Sequence, residues 1–134
     1  MSYLLDTNAC IQYLNGTSAN LKRKLESRQH EEIYLCAVVR AELFYGAIKS
    51  ANVSRNVQKL RHFLSRFISL PFDDQSAEIY GELRTQLEKE GKVIGPYDLM
   101  IAAIALANKV ALVTHNIREF GRIEHLELED WETE

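Results

Sequence analysis

The chain has 134 residues, of which 46% are hydrophobic and 26% are charged, and this balance predicts one globular domain over residues 1–134 with a substantial core. Its net charge of −3 is divided unevenly, because residues 1–67 carry 10 Lys and Arg against 5 Asp and Glu, whereas residues 68–134 carry 6 against 14. No apolar run is long enough to span a bilayer, the N-terminus lacks the features of a signal peptide, and two cysteines are too few for a disulfide framework. We therefore expect a cytoplasmic protein without membrane contact.

Hydrophobic patterns along the chain predict alternating strands and helices. Short apolar runs predict strands at residues 3–5, 33–36, 68–72, 110–114 and 126–128. Helical spacing of apolar residues predicts helices at residues 9–14, around 21–25, at 38–50, 53–68 and 75–90, and from Pro96 onwards, with Thr7 or Asn8 capping the first. This alternation indicates a three-layer α/β/α sandwich with a central, mostly parallel sheet. Ligands of such sheets bind beyond the carboxyl ends of the strands, where Asp6 and Thr114 are expected.

Three acidic residues stand alone among apolar neighbours. Asp6 ends the first apolar run, Glu42 lies within the helix at 38–50, and Asp98 opens an apolar helix. Isolated carboxylates are costly to bury, and neither Glu42 nor Asp98 has a basic residue one helical turn away. Each alone could be a strand-end cap, one half of a tertiary ion pair, or an acid favoured in the first turn of a helix. Together they indicate a site for a hard cation, Mg²⁺ or Mn²⁺, that can activate water against a phosphate.

Other catalytic motifs are missing from the sequence. There is no glycine-rich phosphate cradle, no serine flanked by nucleophile-elbow glycines, and no zinc-like spacing among the four histidines. The three acids by themselves leave the substrate open, since a metal-dependent enzyme acting on RNA, on DNA or on free nucleotides could use them.

Four stretches of sequence occur in a characteristic order. They are Leu4-Leu5-Asp6-Thr7-Asn8, then Ala41-Glu42-Leu43 with Gly46, then the segment from Pro96 to Ala103, then Leu112-Val113-Thr114-His115-Asn116 followed by Arg118-Glu119-Phe120. In this order and spacing they resemble the PIN domains, and more narrowly the VapC ribonuclease toxins of bacterial type II toxin–antitoxin operons. The resemblance extends over essentially the whole chain.

The resemblance implies that Asp6, Glu42 and Asp98 ligate a divalent metal and carry catalysis, with Mg²⁺ as the cofactor and Mn²⁺ as a possible substitute. Thr114, Asn116 and Asn8 would be supporting residues. Family members often have a fourth acid at the position of Asn116, so the number of bound metals stays open.

The resemblance further implies an endoribonuclease that blocks translation by cutting structured RNA, often transfer RNA. It also implies a homodimer and a cognate VapB-type antitoxin as partners. From the residues themselves, we expect Lys22, Arg23, Lys24 and Arg28 to contact RNA phosphates. Two alternatives stay open: a catalytically decayed RNA-binding module, for which Asn116 is the only support, and a metal-dependent nuclease acting on DNA or nucleotides.

Overall fold

A sheet of five short strands forms the centre of the computed structural model, which describes residues 1–133. The strands are β1 (Tyr3–Leu5), β2 (Ile33–Cys36), β3 (Ile68–Leu70), β4 (Ala111–Val113) and β5 (Leu128–Glu129). All neighbouring strands pair in parallel in the order β3-β2-β1-β4-β5, so the first strand lies in the middle. The predicted α/β class with a parallel sheet is therefore confirmed.

Seven α-helices accompany the sheet within residues 1–133. They are α1 (Thr7–Asn15), α2 (Ala19–Glu26), α3 (Ala37–Lys49), α4 (Val53–Leu64), α5 (Asp74–Lys89), α6 (Pro96–Asn108) and α7 (Ile117–Phe120). Every residue of β1 and β4 is buried. Because successive side chains of a strand point to opposite faces, the sheet must be covered on both faces, as in the predicted three-layer sandwich. None of the helices in this part of the chain is both long and apolar enough to cross a membrane.

The helix α6 lies in the core, as its nearly continuous apolar sequence predicts. Ile101, Ala102 and Ile104 have no exposed surface. Pro96 occupies the first turn of the helix, where its fixed φ and missing N–H cost nothing. This anchored first turn carries Asp98.

The register of β1 brings the ends of three strands to one edge. Leu5 pairs with Val113, and the Asp6 N–H donates to the Val113 carbonyl at 3.0 Å. The Thr114 N–H donates in turn to the Glu129 carbonyl at 2.9 Å. The residues that follow β1, β4 and β5 therefore emerge side by side at the carboxyl edge of the sheet.

Several boundaries differ from the sequence prediction. The helix α1 begins at Thr7, two residues early, because Asp6 caps it and not Thr7 or Asn8. The Asp6 Oδ1 accepts a hydrogen bond from the Ala9 N–H at 2.8 Å. The helix α4 ends at Leu64 and not at residue 68, since the chain must turn there to enter β3. The short α7 was not predicted, because a helix of 4 residues is too short to show periodicity.

Candidate active site

A groove of about 900 Å³ opens at the carboxyl edge of the sheet. Asp6, Glu42 and Asp98 all line it, although they come from the end of β1, the middle of α3 and the start of α6. Asn8 and Asn116 line the same groove. The fold thus gathers all three predicted acids, and two of the three predicted supporting residues, around one cavity.

Asp6 is the most deeply buried of these acids, with 4% of its surface exposed. The pKa of Asp6 is raised to about 6, chiefly by burial and to a smaller extent by the charges of Glu132 and Glu42. Hydrogen bonds from the Thr114 hydroxyl and the Ala9 N–H favour the charged carboxylate and limit this rise. The ionised form of Asp6 is therefore destabilised by its surroundings and would be stabilised by a nearby cation.

Asp98 and Glu42 lie on other walls of the groove. Burial raises the pKa of the half-buried Asp98 to about 6, and the charges of Glu119, Asp6 and Glu42 contribute to the rise. The Glu42 Oε1 accepts a hydrogen bond from the Thr7 hydroxyl at 2.5 Å. Within residues 1–133 no Lys, Arg or His side chain forms an ion pair with any of the three predicted acids. An ordinary tertiary salt bridge therefore does not explain Glu42.

A fourth acid, Glu119, lies near Asp98, although it is not among the residues that line the groove. It is half-buried in α7, and its charge raises the pKa of Asp98. Asn116 holds it in place, because the Asn116 Nδ2 donates to the Glu119 Oε2 at 3.2 Å and the Asn116 Oδ1 accepts from the Glu119 N–H at 3.4 Å. Asn116 was predicted as a supporting residue, whereas Glu119 was not among the predicted site residues. The available signal was an Asn followed three residues later by Glu, which is typical of a helix start.

The predicted supporting residues have different surroundings. Thr114 is buried between Asp6 and the loop that follows β4, and its Oγ1 accepts a hydrogen bond from the Asn116 N–H at 2.9 Å. Its hydroxyl also lowers the pKa of Asp6, as described above. Asn8 is exposed on the groove wall. Thr114 thus links the central acid to the loop that carries Asn116, whereas Asn8 is available to a ligand.

The predicted RNA contacts on and after α2 lie away from the groove lining. Lys22 and Arg23 are exposed. Lys24 donates a hydrogen bond from Nζ to the C-terminal backbone at 2.8 Å, and the Arg28 guanidinium lies 4.4 Å from the centre of the buried Trp131 ring. Lys24 and Arg28 therefore help to hold the C-terminal segment, and Lys22 and Arg23 are the members of the patch that face solvent.

A second group of ligand-type side chains lies at the same edge. His115, Asp130 and Glu132 each place one ligand atom within 4.8 Å of the others, and they form the only such group among the residues that the structure describes. The groove acids do not approach one another this closely, which is consistent with repulsion between like charges. His115 is exposed, and its Nδ1 is already paired with the Asp130 Oδ2 at 3.0 Å. This pairing raises the pKa of His115 and so favours its charged form. The positive charge of His115 then offsets part of the negative charge of Asp130 and Glu132, which a bound cation would otherwise do.

The oxygen-only donors of the groove fit a hard divalent cation. Half-buried and buried carboxylates with raised pKa values repel one another, and a divalent cation between them would offset that repulsion. Mg²⁺ normally keeps several of its waters, so the acids need not all contact the ion directly. The donor set is therefore suited to Mg²⁺ or Mn²⁺ and lacks the Cys and His ligands that zinc prefers.

The fold and its acidic groove define a class of protein with known relatives. Residues 3–126 match the family model of the PIN domain. The ribonuclease VapC2 of Rickettsia felis is 43% identical over 133 residues, which cover 98% of this chain and 99% of that protein. The tRNA(fMet)-specific endonuclease VapC of Shigella flexneri is 35% identical over 131 residues, which cover 98% of each.

Solved structures agree with these relatives. The crystal structure of VapBC2 from Rickettsia felis, bound to a DNA fragment from their promoter, matches with a TM-score of 0.91 and 42% identity over 98% of this chain and 99% of that one. DNA-bound VapBC from Salmonella typhimurium matches with a TM-score of 0.92 and 34% identity over 98% of each chain. The chain belongs to the PIN-domain family, and within it to the VapC ribonucleases. The predicted family and the predicted enzyme class, an endoribonuclease, are confirmed.

Proposed function

We propose that this chain is the toxin of a type II toxin–antitoxin pair, a Mg²⁺-dependent endoribonuclease that cuts a transfer RNA and thereby blocks translation. The proposal rests on one observation above all. Asp6, Glu42 and Asp98 line one groove, the first and third have pKa values raised to about 6, and no cationic side chain within residues 1–133 pairs with them. Transfer RNA is supported as the substrate by the Shigella flexneri relative, which is named for its action on tRNA(fMet).

In this proposal Asp6, Glu42 and Asp98 hold the cation. When bound, Mg²⁺ supplies positive charge at the scissile phosphate and lowers the pKa of an attacking water. The chain contributes the fixed geometry: Asp6 stands at the end of the central strand, and Asp98 stands in the first turn of the buried helix α6. Asn8, exposed on the groove wall, offers an amide that can hydrogen-bond to a phosphate or ribose oxygen.

In this proposal, positively charged residues outside the groove bind the RNA. The groove itself is acidic and repels a polyanion until a cation is bound. Lys22 and Arg23 are exposed on α2 and can contact phosphates at a distance from the cleaved bond. Such contacts add affinity without reading sequence, so the choice of RNA must come from the shape of the substrate and from contacts in the groove.

A VapB-type antitoxin is proposed as the inhibitor that covers the groove. Ile11, Tyr45 and Tyr97 line it and are 38%, 66% and 59% exposed, so they offer apolar surface to a partner. Both solved structures described above are of VapBC complexes. A partner segment with apolar side chains and one basic side chain would cover this surface and neutralise the acids. A homodimer is the expected assembly of the chain.

The test is a time course of purified, antitoxin-free protein on total cellular RNA, on a transfer RNA pool and on DNA, with Mg²⁺, with Mn²⁺ and with EDTA. Asp98→Asn is the catalytic control. Discrete transfer RNA fragments that need the metal and are missing from the Asp98→Asn lanes are the expected result. Cleavage of DNA in preference to RNA would overturn the proposed substrate. No cleavage by protein that is folded and free of inhibitor would favour the binding-module alternative.

A further inference from the structure

Thr7 makes a hydrogen bond that the proposed mechanism has not used. Its hydroxyl donates to the Glu42 Oε1 at 2.5 Å and joins the first residue of α1 to the middle of α3 across 35 positions of sequence. The length is that of a strong, charge-assisted O–H···O⁻ hydrogen bond. Both residues line the groove.

The hydroxyl is not needed to begin the helix. Asp6 already caps α1, because its Oδ1 accepts the Ala9 N–H at 2.8 Å. Thr7 is half-buried, and its hydroxyl donates its hydrogen bond to Glu42. The geometry therefore directs the Thr7 hydroxyl toward the site and not toward its own helix.

Glu42 needs an external restraint more than the other acids. Asp6 is fixed by its cap, and Asp98 has a short side chain in the first turn of a buried helix. Glu42 has a longer side chain, and the negative charges of Asp6 and Asp98 repel it. Within residues 1–133 the Thr7 hydroxyl is the side chain that donates a hydrogen bond to it.

We propose that Thr7 is a positioning residue, whose hydroxyl holds one oxygen of Glu42 and leaves the other, Oε2, directed to a divalent cation. The inference rests on the proposed cation site. A neutral donor suits this task, because it restrains the carboxylate without competing for the charge of the ion. Partners of this kind orient metal-ligating side chains, and their loss weakens metal affinity about 10- to 100-fold.

The experiment measures Mn²⁺ binding by calorimetry on the full, antitoxin-free chain, so that it does not depend on cleavage. Thr7→Val keeps the shape of the side chain and removes the donor, whereas Thr7→Ser keeps the donor. Thr17→Val is the matched control, since Thr17 follows the same helix and its hydroxyl contacts only Gln12. We expect Thr7→Val to bind Mn²⁺ about 10- to 100-fold more weakly, and Thr7→Ser and Thr17→Val to bind it almost as tightly as the unmodified chain.

Cleavage kinetics give a second measurement. In Thr7→Val the Mn²⁺ concentration for half-maximal cleavage should rise by the same factor, with turnover recovering at saturating Mn²⁺, because the ligand is displaced but still present. A Thr7→Ala variant, compared with Thr7→Ser, gives the same contrast if Thr7→Val does not fold.

The outcomes separate this inference from the proposed function. Unchanged Mn²⁺ affinity in folded Thr7→Val, or equal losses in Thr7→Ser or Thr17→Val, would overturn the role of Thr7. If Asp98→Asn binds Mn²⁺ as tightly as the unmodified chain, the cation site itself is wrong. If Asp98→Asn loses binding while Thr7→Val retains it, the site stands and only the role of Thr7 fails.

Discussion

Replacing Asp98 by Asn should inactivate the protein and, in the absence of metal, stabilise it at pH 7. The substitution removes a charge at nearly constant shape. Burial and the neighbouring acids raise the pKa of Asp98 from 3.8 to about 6, which means that the ionised carboxylate is held in an unfavourable place. The amide lacks this cost, but it also lacks the charge that would hold a divalent cation.

The size of the effect follows from the pKa of Asp98. A rise from 3.8 to about 6 corresponds to about 3 kcal/mol, at about 1.4 kcal/mol for each pKa unit. Because Asp98 is only half-buried, solvent screens part of this, and we expect a gain of about 1–2 kcal/mol, or roughly 3–8 °C in Tm.

The gain must also depend on pH in one direction. Below pH 3.8 the Asp98 carboxyl is protonated in both the folded and the unfolded chain, so its favourable contribution to wild-type stability is fully present and the variant has no advantage. As the pH rises through about 6, the unfolded chain ionises first and that contribution is lost. The advantage of Asp98→Asn therefore grows over this window and is constant above it.

Urea unfolding in EDTA at several pH values across this window measures the free energy of unfolding directly. Asp74→Asn is the matched control, since Asp74 is an exposed acid in the first turn of α5 and does not line the groove. Adding Mn²⁺ should stabilise the unmodified chain and leave Asp98→Asn unchanged. A variant that is less stable than the unmodified chain at pH 7, or equally stabilised at every pH, would refute the electrostatic reasoning.

Three further variants test the surroundings of the groove and the residues on and after α2. Glu119→Gln should weaken Mn²⁺ binding and slow cleavage by about tenfold, and full activity would show that the fourth acid is a bystander. Arg28→Ala should lower the free energy of unfolding by about 1–2 kcal/mol, because the guanidinium leaves the face of the buried Trp131 ring, and an unchanged urea midpoint would disprove this role. Lys22→Ala combined with Arg23→Ala should reduce the slope of log affinity for RNA against log salt by about 2, and an unchanged slope would remove α2 from the RNA-binding surface.

The three predicted acids could be found from the sequence because each interrupts a strongly apolar segment. Asp6 follows β1, and Asp98 opens α6, so the folding of those segments fixes both positions. Glu119 could not be found in this way, since it lies in a helix of 4 residues and does not interrupt an apolar run, with Arg118 before it and Phe120 after it. Its position near Asp98 depends on the turn after β4 and on the cap that Asn116 provides.

The basic residues on and after α2 were grouped by the sequence, but the structure gives them different roles. The prediction grouped Lys22, Arg23, Lys24 and Arg28 because all four are basic. Their neighbours in the sequence do not distinguish them. Tertiary contacts do so, because Arg28 stacks on Trp131, which is more than 100 residues away in the chain and 2% exposed. The aromatic residue was visible in the sequence, but its pairing with an arginine depends on where β5 places the C-terminal segment.

Asp6 and Asp98 are positioned by elements that apolar burial holds in place. Asp6 ends a strand that is buried on both faces, and Asp98 begins a helix with a fully buried core. The fold can therefore remain stable although these carboxylates repel one another and, within residues 1–133, have no cationic partner until a ligand binds. Either a divalent cation or a basic side chain of a partner can neutralise the same charges, so the two should compete. A proposed antitoxin that inserts a basic side chain would then inhibit the protein by displacing metal as well as by blocking RNA.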